Sequence, residues 1–169
     1  MGDQYVSCDY GTQNPTAFLL WSKGADKKWY CRREYYYSGR DKGRQKTDKE
    51  FSDDLTAWLS GEKVRAVILD PAAASFKAQL EKDGYKVKKA KNDVLDGIRF
   101  VATLLLSGSI FVDKSCENLI KEFASYIWDA KAAERGEDKP VKEHDHALDA
   151  LRYFCYTIIR RGGGIRILK

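Results

Sequence analysis

The sequence predicts an α/β domain with a mixed central sheet, three antiparallel strands followed by parallel ones, flanked by helices. Three observations point there. The chain has 169 residues, 43% hydrophobic and 33% charged, enough to enclose one packed core. Its first third holds three extended apolar or aromatic runs separated by short turn signals. The remainder alternates short apolar runs with stretches of helical periodicity.

Gln4 to Asp9 reads as the first strand. The turn signal Gly11-Thr12-Gln13-Asn14-Pro15 leads into a second apolar run, Thr16 to Trp21, and the aromatic-rich Trp29 to Tyr37 is the third. Joined by short turns, these make an antiparallel meander. Gly39 to Lys46 reads as a polar loop, after which Thr47 or Asp48 caps a helix with Phe51, Leu55, Trp58 and Leu59 along one side. Val64 to Leu69 is apolar apart from Arg65 and ends at Asp70-Pro71, the pattern of a buried strand covered on both faces. Ala72 to Asp83 reads as a helix stopped by Gly84, and Tyr85 to Val87 as a short strand.

Asn92 is the expected cap of a longer helix whose apolar side carries Val94, Ile98, Val101 or Ala102, and Leu105, ending at Ser107-Gly108. Ile110 to Val112 reads as a small strand, followed by a helix with Cys116, Leu119, Ile120 and Phe123 on its inner face. Tyr126 to Val141, with the turn-like Glu134 to Asp138 at its centre, reads as a hairpin or loop, and its Trp128 to Val141 part, immediately before the last helix, is expected to overhang and gate the neighbouring cleft. The last helix is expected from Glu143 or Asp145 to Arg160. Residues 1–161 are read as one domain and 162–169, opening on Gly162-Gly163-Gly164, as a flexible tail.

Charge narrows the function classes. Between Lys23 and Lys49 there are ten Lys or Arg against four acids, an excess of six in a chain whose net charge is +5. These cations interleave with Trp29, Tyr30, Tyr35, Tyr36 and Tyr37, a combination suited to phosphate contacts and equally to a solvated strand face. No run of 18 apolar residues and no cleavable leader pattern occurs, so neither a membrane span nor secretion is expected. Cys8, Cys31, Cys116 and Cys155 lie far apart and read as buried thiols in a reducing compartment.

The carboxylates carry the chemistry. Asp9 sits inside an apolar strand, where a charge must be paired or bound to a metal. Asp70 is either a strand-end turn residue or its partner. A right-handed crossover would lay the fourth strand parallel beside the first, bringing Asp9 and Asp70 together on one edge of the central sheet. On the last helix Asp145 and Asp149 are four apart and His146 is three before Asp149, so they share one side, while Leu148, Leu151, Cys155 and Ile158 pack the other. Asp145 also suits a helix cap, but Asp149 lies a turn too deep for that. Such carboxylates repel one another unless a divalent cation neutralises them, and oxygen donors suit Mg²⁺ or Mn²⁺. Two such ions about 4 Å apart hydrolyse phosphodiesters.

Asp9-Tyr10-Gly11 with Asn14-Pro15-Thr16-Ala17, Leu69-Asp70-Pro71-Ala72, Asn92-Asp93-Val94-Leu95-Asp96-Gly97-Ile98, and Asp145-His146-Ala147-Leu148-Asp149-Ala150-Leu151-Arg152-Tyr153 span nearly the whole chain. In this order they resemble the C-terminal nuclease domain of the large terminase subunit of tailed double-stranded DNA bacteriophages, a ribonuclease-H-like fold. The resemblance implies metal-binding acids at Asp9, Asp70 and Asp149, with Asp145 a fourth ligand or a group just behind the ligands, and a catalytic role for His146. It implies two Mg²⁺ or Mn²⁺ ions and cleavage of double-stranded viral DNA during genome packaging in the host cytoplasm. Its implied partners are an N-terminal ATPase domain, the small terminase subunit and the portal, with no membrane.

The ATPase signature is missing. Gly39-Arg40-Asp41-Lys42-Gly43-Arg44-Gln45-Lys46-Thr47 has only three residues between its glycines, which makes it a basic loop, and the chain reads as an excised nuclease domain. Arg40, Lys42, Arg44 and Lys46, with Lys142, are the expected DNA-binding residues. Another ribonuclease-H-like enzyme, such as a junction resolvase, transposase core or RNase, fits the same acids. A DNA-binding module without catalysis would treat them as caps and turns. A zinc site from His144, His146 and a cysteine fits poorly, because alternate helical residues point about 200° apart.

Overall fold

The structure is a computed structural model and describes residues 2–124, 135–136 and 145–160. Lys142, His144, the 162–169 tail and all of the Tyr126 to Val141 segment except residues 135–136 lie outside the described residues. The expected meander is present as β1 (Gln4–Asp9), β2 (Thr16–Lys23) and β3 (Trp29–Tyr37), paired antiparallel in sequence order. β4 (Val67–Leu69) returns parallel to β1, and β5 (Val87–Lys89) lies parallel outside it. β6 (Ile110–Val112) adds to the far edge parallel to β3, giving the order β5-β4-β1-β2-β3-β6.

The helices are α1 (Gly39–Lys42), α2 (Asp48–Leu59), α3 (Ala74–Lys82), α4 (Val94–Leu106), α5 (residues 117–124) and α6 (His146–Phe154). The last continues into a π-helical turn, Cys155–Ile159. They sandwich the sheet, and strand alternation assigns the faces. Val6, Cys8, Phe18, Leu20, Val67 and Leu69 pack with Phe51, Leu55, Phe76 and Leu80 of α2 and α3. Ala17, Leu19, Trp21 and Ile68 point the other way and pack with α4, α5 and α6. β4 is therefore covered on both faces, as its apolar run requires.

Several boundaries differ from the sequence expectation for local reasons. The Gly39 to Lys46 loop opens with one helical turn, because the Ser38 hydroxyl accepts the Asp41 N–H and Gly43 closes it at φ 66°. Thr47 caps α2 as expected, its hydroxyl taking the Glu50 N–H. The fourth strand begins at Val67, since Arg65 N–H and Ala66 C=O pair singly with Gln4 and Val6 ahead of the ladder. Asp70 holds the Ala72 and Ala73 N–H groups in a turn, which delays α3 to Ala74. β5 starts at Val87 because the Tyr85 N–H still closes α3 on Leu80 C=O.

Two helix faces are rotated from expectation. α4 buries Gly97, Val101 and Leu104, leaving Val94 and Leu105 at 42% and 40% exposure, because it approaches α6 through Gly97. Its cap position is Asp93, with no capping side chain, and not Asn92. Cys116, just ahead of α5, and Leu119 within it are buried as expected, but Ile120 is 43% exposed and Glu122 is buried in its place. All four cysteines are buried free thiols, and no helix among the described residues is long and apolar enough to cross a membrane.

Phe154 anchors α6. It is fully buried, stacks on Trp21 at 4.3 Å and meets the Trp29 ring edgewise at 5.0 Å, while the buried Trp21 indole donates to Ser7 Oγ. Phe154→Ala should therefore destabilise the protein by about 3–5 kcal/mol, read as a lower urea midpoint. A loss under about 1 kcal/mol would show that this cluster does not hold the helix.

Candidate active site

The register of β1 against β4 decides where two acids meet. Cys8 lies opposite Leu69, so Asp9 and Asp70 follow side by side at the carboxyl ends of two interior strands. This is the sheet's centre and not one of its edge strands. Alternation turns both toward the α6 layer, since Val6, Cys8, Val67 and Leu69 occupy the other face. Asp9 Oδ2 stands 2.9 Å from His146 Nδ1. Asp70 Oδ2 accepts the Tyr153 hydroxyl at 3.0 Å, and its Oδ1 takes the Ala72 N–H at 2.7 Å.

α6 supplies the third side. Ala147, Ala150, Leu151 and Phe154 are fully buried against the sheet, whereas Leu148, expected in that set, is only partly buried. The small alanines let the helix lie close over the strand ends. Asp149 accepts from Arg152 Nη2 at 3.1 Å. The Arg152 guanidinium is itself buried and donates to the Asn92 and Asp93 carbonyls at 2.8 and 3.0 Å. Gly97 makes room for it: a Cβ there would stand 2.8 Å from Arg152 Cγ. Asp145 occupies the cap position of α6, but its side chain makes no capping bond.

These groups share one electrostatic field. Burial raises the Asp9 carboxyl, with Asp145 and Asp70 adding to the rise and His146 opposing it. Burial, then Asp145 and Asp9, push Asp149 up to about 6 against Arg152. His146 is raised chiefly by its hydrogen bond to Asp9. The Tyr153 phenol is raised by burial and by Asp9, Asp149 and Asp70, so it stays a donor. Among the described residues no three His, Cys, Asp or Glu side chains are grouped closely enough to grip an ion together. Each acid has its own donor instead: His146 for Asp9, Tyr153 for Asp70, Arg152 for Asp149. The donor chemistry fits a hard divalent cation, because the acids offer oxygen only and repel one another, and such an ion competes with those three donors. The zinc alternative calls on His144, which lies outside the described residues, and on His146, which is committed to Asp9.

An open cleft of about 540 Å³ beside the acids is lined by Asp9, Tyr10, Gly11, Asn14, Asp70 and Ser75, among others. Gln13 lines it too, and also borders a second pocket formed by Gly39, Arg40, Gly43, Arg44 and Gln45. The basic loop thus adjoins the acids. Much of the basic excess is balanced in space: Arg32 and Arg33 pair with Glu62, Arg44 with Glu50, Lys46 with Asp54, and Lys49 with Asp53 and Asp83. Lys46 also sits over the Tyr37 ring. Arg40 and Lys42 are exposed.

A parallel β1–β4 pair inside a mixed sheet, with acids at its carboxyl end and a helix carrying further acids above it, defines a ribonuclease-H-like domain. The chain belongs to the terminase RNase H-like domain family, whose model matches residues 7–156. It is 32% identical over 160 residues to the terminase large subunit of Escherichia phage T5, covering 92% of this chain and 35% of that protein. It superposes on the large terminase of a thermophilic bacteriophage with TM-score 0.84 and 54% identity, over 93% of this chain and 40% of that one. The chain therefore spans well under half of these relatives. The P22 large terminase nuclease domain shares the fold at 23% identity and TM-score 0.69, over 94% and 81% of the two chains. So does the large terminase nuclease of thermophilic phage G20c solved with bound zinc, at 14% identity and TM-score 0.62, over 90% and 80%.

Sequence reasoning missed Arg152, Tyr153 and Glu122 as site components. Arg152 and Tyr153 are three and four residues past Asp149, on its side of the helix, and Glu122 falls on the inner face beside Leu119 and Phe123. Those spacings were the available signals.

The raised carboxyls set the pH behaviour. Asp149, near 6, and Asp9 bind protons more tightly folded than unfolded, so stability falls as pH rises through that window. His146, raised by Asp9, contributes stability below its unfolded value and loses it as pH rises, the same sign. The metal-free melting temperature should therefore decline from about pH 5 to 7.5, less steeply in Asp149→Asn. Mn²⁺ should raise it more at the upper end, where protons no longer compete. A cation-induced shift larger at the acid end would contradict this account.

Proposed function

We propose that this chain is a divalent-metal-dependent endodeoxyribonuclease that hydrolyses phosphodiesters of double-stranded viral DNA during genome packaging. The observation that carries the reading is the meeting of Asp9 and Asp70 on adjacent parallel strands, beneath Asp149, Asp145 and His146 of one helix. Asp9, Asp70 and Asp149 would hold Mg²⁺ or Mn²⁺, two ions in all, with Asp145 as a fourth ligand or just behind them. When bound, such ions activate water and stabilise the charge that builds on the phosphate.

The protein's own groups have separable duties. The Asp9 carboxylate fixes the His146 ring through Nδ1, leaving Nε2 as the nitrogen that exchanges a proton. The Tyr153 hydroxyl orients Asp70, and Arg152 balances Asp149, the carboxylate that would also hold a cation. Arg40 and Lys42, being exposed, bind the DNA backbone directly; Arg44 and Lys46 do so by exchanging Glu50 and Asp54 for phosphate, and Lys142 belongs to the same proposed set. Residues 1–161 constitute the working unit and 162–169 a tail. Because the relatives are much longer, we assign the ATPase domain, small subunit and portal as partners of the whole protein in the host cytoplasm.

Asp70→Ala and Asp149→Ala should each abolish Mn²⁺-dependent cleavage of linear duplex DNA while DNA affinity stays within about threefold, since phosphate contacts set affinity. Wild-type protein that binds DNA but never cuts it would establish a non-catalytic module. A strict requirement for junctions would establish a resolvase. Replacing Arg40 and Lys42 together by Ala should reduce the slope of log affinity against log salt by about 2, measured by fluorescence anisotropy. An unchanged slope would remove those residues from the DNA path.

A further inference from the structure

The first turn of any helix leaves N–H groups that need acceptors, and the usual acceptor is the side chain just ahead of it. For α6 that residue is Asp145, a good cap by type, yet its side chain makes no capping bond. The N–H groups of Ala147 and Leu148, the two a cap would take, donate to the carboxylate of Glu122 at 3.3 and 2.9 Å. Glu122 comes from α5 and is only 5% exposed. α5 is fixed in the same way. Glu34 of β3 accepts the Asn118 and Leu119 N–H groups at 3.0 and 2.7 Å. A half-buried carboxylate thus ties α5 to the sheet, and a buried one ties α6 to α5.

Asp145 immediately precedes His146, whose Nδ1 stands 2.9 Å from Asp9. It lies one turn before Asp149, whose N–H donates to the Asp145 carbonyl at 2.7 Å. Its uncommitted carboxylate thus stands beside the other acids and is among the charges that raise Asp9 and Asp149. We propose that Glu122 is a positioning residue: by capping α6 from another helix, it releases the Asp145 carboxylate to join Asp9, Asp70 and Asp149 around a divalent cation. This rests on the metal-dependent reading above. Without Glu122, the Asp145 side chain turns back onto the Ala147 and Leu148 N–H groups. The helix then keeps a cap and the cleft loses a ligand.

A double-mutant cycle over Glu122→Ala and Asp145→Ala tests the exchange on the full chain with two readouts: Mn²⁺ binding by calorimetry without DNA, and the melting temperature in EDTA. In the wild-type background, Asp145→Ala should weaken Mn²⁺ binding about tenfold and leave the melting temperature unchanged or higher. In the Glu122→Ala background it should weaken Mn²⁺ binding no further and lower the melting temperature, because Asp145 has become the cap. Glu122→Gln, which keeps one acceptor oxygen, should fall between wild type and Glu122→Ala, and it carries the same cycle if Glu122→Ala does not fold. Equal effects of Asp145→Ala in both backgrounds, in either readout, would overturn the role of Glu122. Failure of the wild-type protein to bind Mn²⁺ would instead overturn the nuclease reading, a separable result.

Discussion

The parallel pairing of β1 with β4 is the constraint on which the rest of the molecule depends. It joins segments some sixty residues apart in sequence, and its register sets two acids abreast at the carboxyl ends of interior strands. A slip of one residue would turn one strand's whole side-chain set to the opposite layer. The aliphatic residues that prevent the slip, Val6 and Cys8 on one strand and Val67 and Leu69 on the other, lie in the layer away from the acids. Packing on one face of the sheet therefore fixes chemistry on the other.

The helix above the strand ends solves a second problem, that of holding like charges together. Its sheet-facing side is alanine, leucine and phenylalanine, which brings its backbone close. Its cleft-facing side supplies donors for three of the acids, Asp9, Asp70 and Asp149. His146, Tyr153 and Arg152 each satisfy a different acid. The result is a site stable enough to fold in which the Asp9 and Asp149 carboxyls are still held above their ordinary values, a cost that the proposed cation would relieve.

Much of this was legible in the sequence, and the boundary of legibility is physical. Strand alternation and the Asp-Pro stop marked β1 and β4, and helical spacing put His146 and Asp149 on one side, because those patterns are local. The faces of α4 and α5 were not legible. The apolar spacing of α4 offered several equivalent stripes, and contact with Arg152 chose the one through Gly97. On α5 a glutamate displaced an isoleucine from the interior because backbone N–H groups of a remote helix needed an acceptor. The charge surplus between Lys23 and Lys49 also looked freer than it is, since the acids that balance it belong to later segments. Linear counting cannot see that compensation.

Gly97 shows how far such influence extends. It carries no functional group and touches no proposed ligand, yet the hollow it leaves is what admits a guanidinium to the acid above. The electrostatic balance of the cleft is thus written partly in a missing methyl group on a neighbouring helix. A comparison of the acids alone would pass over that position, and two chains identical in every one of them could still differ in how the charges of the cleft are balanced.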